Sequence, residues 1–264
     1  MADLPILVLG ATGSTGRRVA ARLTAAGHGV RRASRRGDVR FDWSDRGTWA
    51  GALDGVERVY LMAPHELPVD PDFVHDAVAR GVRRLVLLST RGVVEMGDER
   101  LLAAERLVRE SGVGWTVLRP DWFDQNFDEG FFRPSVLAGE LVLPLGGKKQ
   151  AFVDADDIAA VAAAALTEDG HEGETYEVTG PESLSFPQAL DVLARITGRR
   201  IAFRGTPDDY RAVMPVELAE AQIRAWDALR DGEPTDVVAR ITGQEPKSFH
   251  DYALRAWEGG AWRG

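Results

Sequence analysis

The residues best placed to do chemistry are Gly10-Ala11-Thr12-Gly13-Ser14-Thr15-Gly16, directly after the apolar run Leu4–Leu9 and before a helix-period stretch. That context makes a glycine pattern a phosphate cradle. Gly10 allows a tight turn, Gly13 lets backbone approach a diphosphate, and Gly16 lets helix and strand pack closely. The amides of Thr12, Ser14 and Thr15 then lie at a helix N-terminus, whose free N–H groups and dipole favour an anion. About 20 residues on, where an acid would hold a ribose 2′-hydroxyl, the chain reads Arg31-Arg32-Ala33-Ser34-Arg35-Arg36, with no acid before Asp38. Guanidinium groups present paired donors that match a phosphate. NADP(H) is therefore expected in preference to NAD(H), with Ser34, Arg35 and Arg36 on the 2′-phosphate.

A second group follows Pro120: Trp122, Phe123, Asn126 and Phe127, with Phe131 and Phe132 beyond. Aromatic walls carrying one amide suit a flat, largely apolar small molecule, and packing between two layers is the competing reading. The five histidines are scattered without ligand spacing, so no metal site is expected. Asp154, Asp156 and Asp157 precede a helix and read as caps. Arg106 and Arg109 beside Glu105 and Glu110 read as a solvated helix face.

These groups must be held by alternating elements. Strand candidates at Leu4–Leu9, Gly29–Ala33, Val56–Met62, Arg84–Leu88, Trp115–Leu118 and Thr175–Val178 are separated by helix candidates at Ser14–Ala26, Arg46–Leu53, Asp72–Arg80, Glu99–Ser111 and Ala155–Thr167. Such alternation implies an α/β, Rossmann-type doubly wound parallel sheet. Residues 1–180 would form that domain and residues 181–264 a small, mostly helical C-terminal substrate lobe, to which 121–149 contribute. Helices are expected in the lobe at Phe186–Gly198, Val216–Arg230, Thr235–Thr242 and Phe249–Trp257, with a short strand at Arg200–Phe203.

Composition narrows the function. None of the 264 residues is cysteine, which excludes disulfides, a thiolate nucleophile and cysteine-ligated metals. The longest apolar run, Ile158–Leu166, falls well short of the ~18 residues a membrane span needs. A net charge of −9 disfavours a nucleic-acid surface. No leader pattern precedes the first strand, so a cytoplasmic protein, monomer or homodimer, acting on a small molecule is expected.

Several stretches together resemble the NmrA-like group of atypical short-chain dehydrogenases/reductases, most of all its ergot-alkaloid dehydrogenase type. They are Gly10–Gly16, Gly81–Thr90, Ser111–Pro120, Trp122-Phe123 with Asn126-Phe127, Phe152–Asp154 followed by Asp157–Ala159, and Tyr176–Pro181. The resemblance implies that Asp42 contacts the adenine, that Ala63 and Pro64 line the nicotinamide ribose, and that Ser89 and Thr90 end a strand at the crevice. Thr90 falls where related enzymes keep a catalytic hydroxyl, and His65, following Pro64, is a second candidate proton donor. Most such enzymes pair a tyrosine with a lysine four residues later. Here the residues four before Lys148, Lys149 and Lys247 are Pro144, Leu145 and Gly243, so that pair is absent. The expectation is an NAD(P)H-dependent reductase for an already polarised C=N, C=C or quinone bond in an aromatic or polycyclic molecule of secondary metabolism. The alternatives are a redox-sensing NADP-binding regulator and a non-redox cyclase or isomerase on the same scaffold.

Overall fold

A computed structural model describes residues 4–64 and 67–263. Seven parallel strands make the central sheet. They are β1 (Ile6–Leu9), β2 (Val30–Ser34), β3 (Val39–Arg40), β4 (Arg58–Met62), β5 (Arg84–Leu88), β6 (Gly114–Pro120) and, after the outlying β7 (Glu140–Val142) and β8 (Lys149–Gln150), β9 (Glu174–Val178). Their order is β3-β2-β1-β4-β5-β6-β9. The order reverses between β1 and β4, and ligands of such sheets bind beyond the strand ends at that switch.

Alternation in β1 shows why these strands read as continuously apolar. Ile6 and Val8 pack beneath α1 (Ser14–Ala25), whereas Leu7 and Leu9 face the layer of α2 (Trp49–Leu53), α3 (Pro71–Ala79) and α4 (Glu99–Arg109). Both faces are covered, so both sets of side chains must be apolar. After α5 (Arg133–Ala138), which lies off the sheet, α6 (Ala155–Thr167) returns to the α1 face. The alanines of α6 let it lie close against α1, and Asp154 caps it by accepting the Asp156 amide. This is the doubly wound α/β sheet expected from the sequence.

A third apolar cluster joins Phe127, Phe132, Val136 and Phe152 to residues after 181. There β10 (Leu184–Ser185) pairs antiparallel with β8, and β11 (Ala202–Arg204) pairs parallel with β7. The helices are α7 (Phe186–Thr197), α8 (Pro207–Arg211), α9 (Val216–Asp227), α10 (Val237–Thr242) and α11 (Phe249–Glu258). α10 departs from this cluster and packs on α6. No helix among the described residues is long and apolar enough to cross a membrane.

Two local readings need correction. The stretch from Arg46 splits into a 3-10 turn and the short α2. Glu105 is not on a solvated face: its side chain is fully buried, held by Arg119 and Arg109.

One buried acid sets a pH dependence. Asp124, on a 3-10 turn after β6, is fully buried, and neither carboxylate oxygen has a hydrogen-bond partner. Burial first, then the charges of Asp154 and Asp157, push its pKa well above the carboxylate range, so the folded protein holds it as a neutral acid. The unfolded chain releases that proton at about pH 3.8. The folded state therefore binds more protons above this pH, and stability falls as pH rises, by up to about 1.4 kcal/mol per unit. D124N removes this loss. Urea unfolding at about pH 5 and about pH 7 should show the variant gaining on wild type at the higher pH, and a constant gap would mean that Asp124 is ionised when folded.

Candidate functional site

The cradle is built from backbone. Gly10 adopts φ +64, and a Cβ there would lie 2.8 Å from the Met62 methyl. A Cβ on Gly16 would lie 2.3 Å from the Gly10 carbonyl oxygen. Glycine at both positions thus fixes the turn against the first turn of α1. The α1 N-cap, Gly13, is extended and provides no side-chain cap. The first-turn amides therefore remain open to an external acceptor. This arrangement fits a dinucleotide's diphosphate.

Beside it opens a cleft of about 930 Å³ lined by Gly10, Thr12, Gly13, Ser34, Arg35, Arg36, Phe41, Asp42, Trp43, Ser44, Met62, Pro64 and Leu67. Eight residues singled out from the sequence therefore share one cavity. A turn from Ser34 to Gly37 presents Arg35 and Arg36 at its apex, with the Arg36 amide donating to the Ser34 hydroxyl at 3.2 Å. Other arginines nearby are engaged: Arg31 donates to carbonyls at the end of α2, Arg32 lies 3.7 Å from Asp38, and Arg40 lies 3.6 Å from Asp45. Arg35 and Arg36 are exposed and pair with no carboxylate among the described residues. In a chain of net charge −9, two such guanidiniums make this rim locally positive.

Across the rim, the Asp42 carboxylate accepts from the Ser44 hydroxyl at 2.7 Å and from the Ser44 amide at 3.0 Å. Those bonds hold its pKa below the usual value. The cap of the following 3-10 turn is Asp45, so Asp42 remains free to face the cleft. Trp43, which sequence reasoning passed over, packs edge-on against Phe41, Trp49 and Phe73 and offers a ring to the cavity. Its signal was its place immediately after Asp42.

The other candidates divide. Thr15 and Gly16 are buried beneath the turn, so only their backbone can serve a ligand. Ser14 lies half-buried, and its hydroxyl donates to Glu129 at 3.0 Å. Ala63 is half-buried at the end of β4, and the Pro64 carbonyl accepts from Arg100 at 2.8 Å. Ser89 is buried and turned the other way, its hydroxyl donating to Glu105 at 2.7 Å. That hydroxyl faces α4 rather than the crevice. Thr90, the next residue, lies beyond the strand, which ends at Leu88. It is half-buried and makes only a 3.3 Å bond to the Arg91 carbonyl. Met62 pairs with Leu88 at the ends of β4 and β5, and Pro64 and Thr90 each follow that pair by two residues in sequence. His65 lies outside the described residues.

Among the aromatic residues, Trp122, Phe123 and Asn126 are half-buried, and Trp122 lies 6.1 Å from the exposed Phe131. Phe127 is fully buried among Phe132, Phe152 and Phe249, so it is core and not wall. No group of metal-ligating side chains occurs among the described residues.

The four tyrosines lie elsewhere. Tyr60, on β4, is fully buried in the cluster under α1 and α6, Tyr176 bonds His171, Tyr210 bonds Gln222 and Tyr252 bonds Asp128. Burial raises the pKa of each. A proton-relaying phenol needs the opposite shift.

Residues 10–169 match the NAD(P)H-binding family. The chain is 36% identical to the (4-alkanoyl-5-oxo-2,5-dihydrofuran-3-yl)methyl phosphate reductase of Streptomyces griseus, over 94% of this chain and 96% of that protein. It is 32% identical to festuclavine dehydrogenase of Aspergillus fumigatus, over 95% and 97%. The solved NADPH complex of an Escherichia coli NADPH-dependent quinone oxidoreductase superposes with a TM-score of 0.73 at 22% identity, over 96% and 99% of the two chains.

Proposed function

The chain belongs to the NAD(P)H-binding family, in its NmrA-like branch, and from that premise we propose that it is an NADP(H)-preferring reductase of a polarised double bond in a flat small molecule. The amides of Thr12, Ser14 and Thr15 hold the diphosphate, Arg35 and Arg36 with Ser34 hold the 2′-phosphate, and Asp42 and Trp43 border the adenine. Ala63 and Pro64 border the nicotinamide ribose. The cofactor supplies hydride when bound. The protein orients the acceptor against it, with Trp122, Phe123 and Asn126 as the wall, and excludes water. In this reading the Thr90 hydroxyl donates a hydrogen bond to the acceptor atom where charge develops.

The observation that carries the reaction class is the burial of all four phenols. With none at the crevice, a simple ketone finds no strong proton donor. A conjugated carbonyl, quinone or iminium needs little or none in the hydride step. Names among the relatives, a dihydrofuranone phosphate reductase and a clavine dehydrogenase, support that class.

The test is NADPH oxidation with a panel of quinones, enones and cyclic imines, beside wild-type and R35A/R36A calorimetry. Each charged hydrogen bond is worth about 1.5–3 kcal/mol. The double variant should therefore bind NADPH about 100-fold more weakly and leave NADH affinity within about threefold. Tight NADP(H) binding without turnover of any acceptor would replace the reductase with a sensor, and equal losses for both nucleotides would remove the 2′-phosphate assignment.

A further inference from the structure

One contact joins the start of α1 to the segment that follows the aromatic residues. Glu129 sits on the loop between the aromatic wall and α5, 115 residues from Ser14 in sequence. Its carboxylate accepts from the Ser14 hydroxyl at 3.0 Å and from Arg18 at 2.9 Å, and it pairs with Arg17. Arg18 also donates to the Ser14 carbonyl at 2.9 Å and pairs with Asp156 at 3.0 Å. Partial burial would raise the Glu129 pKa, but Arg18 and Arg17 override it and hold it at about 2. The group is thus an anion throughout the useful pH range. It lies on the first turn of α1, beside the amides left open for a diphosphate.

We propose that Glu129 is a positioning residue that tethers the substrate loop to the phosphate-binding helix and thereby sets nucleotide and substrate affinity against each other. This inference rests on the nucleotide reading above. Two guanidiniums and two carboxylates meet at this turn, so the local charge is balanced. A diphosphate adds negative charge beside it and competes for the Ser14 hydroxyl. Removing the Glu129 charge leaves an uncompensated guanidinium near the diphosphate, which strengthens nucleotide binding. The same change releases the loop that carries Asn126 and Phe131 and loosens the substrate wall.

E129Q, which keeps the size but removes the charge and turns one of the two accepting oxygens into an NH2 donor, is the test. Calorimetry at low salt should show NADPH and NADP+ binding about 3- to 10-fold tighter than wild type, with the gain shrinking at high salt. The KM of the best quinone or enone acceptor should rise about 10-fold, with kcat changed less than threefold. A merely structural role would weaken both affinities together. R17A separates charge from tether: it should weaken nucleotide binding, while Arg18 and Ser14 still hold the loop and KM stays within about twofold. If E129Q is not folded by its melting curve, the R17A result decides alone, since an unchanged nucleotide affinity would overturn the charge argument. Wild type that binds no nucleotide sinks the functional reading. Wild type that binds, with E129Q unchanged or weaker towards nucleotide or unchanged in KM, sinks this inference only.

Discussion

G16A is expected to lose at least about 100-fold in affinity for NADPH while the protein still folds. In an ordinary helix this exchange would stabilise by up to about 1 kcal/mol, because alanine restricts the unfolded chain and favours helix. Here the new methyl would lie 2.3 Å from the Gly10 carbonyl oxygen and 2.7 Å from its carbonyl carbon. Both are backbone atoms, so neither can rotate away, and the turn must open. Overpacking of this kind costs about 1–3 kcal/mol, leaving a net loss that a domain of this size can survive. The cradle cannot tolerate it, because the amides at Ser14 and Thr15 move with the turn. Misdirecting two charge-assisted hydrogen bonds removes about 3–6 kcal/mol of binding. G51A is the control: Gly51 lies exposed in α2 with nothing within 4 Å of its added methyl. It should be neutral or slightly stabilised and bind as wild type does. Calorimetry with both variants checks this, and near-normal affinity in G16A would mean the nucleotide sits elsewhere.

How much of this was legible beforehand varies with how local the cause is. β1 and β5 are covered on both sides, so Ile6–Leu9 and Arg84–Leu88 declare themselves as apolar runs. The glycine turn is equally local, since strand, turn and helix follow one another directly. β3, β7, β8 and β10 are two or three residues long and exist because a distant partner completes each ladder, which leaves no periodic signal. Phe127 and Trp122 are both aromatic residues after Pro120, and only the arrival of Phe249 and Trp262 from the chain's end decides that Phe127 is core. Glu129 acquires its role through Ser14, Arg17 and Arg18, more than 110 residues away, and no window of sequence contains both. Glu105 is different, because its signal was present. Leu101, Ala104, Glu105 and Val108 recur at three- and four-residue spacing on the buried face of α4. The ion-pair spacing to Arg109 is real too, at 3.0 Å, but the stripe outweighs it.

That placement leads to the largest stability effect in the molecule: E105Q should lose about 3–5 kcal/mol, the usual cost of breaking a buried ion pair from one side. Glu105 accepts from Arg119 at 2.9 and 2.6 Å and from the Ser89 hydroxyl at 2.7 Å. Burial pushes its pKa up, but Arg119 and Ser89 outweigh burial and bring it below the ordinary 4.5. A depressed folded pKa stabilises fully above the unfolded value and loses that contribution as pH falls through the folded one. The gap between wild type and E105Q in urea unfolding should therefore be full above about pH 4.5 and shrink below it. A gap under about 1 kcal/mol at neutral pH, or one that persists in acid, would show that the charge is not what stabilises. E105M/R119M should recover part of the loss, because two apolar side chains of similar volume replace the Glu105–Arg119 pair and leave the partly exposed Arg109 to water. The consequence reaches the crevice. Ser89 directly follows β5 and is turned towards Glu105, one residue before Thr90. Arg119 is the last residue but one of β6, three before Trp122. The Glu105 carboxylate thus fixes the ends of the two strands that carry the proposed donor and the proposed substrate wall. E105Q at a temperature where it remains folded should lose turnover while its calorimetric affinity for NADPH, held by β1 and β2, stays within about threefold of wild type.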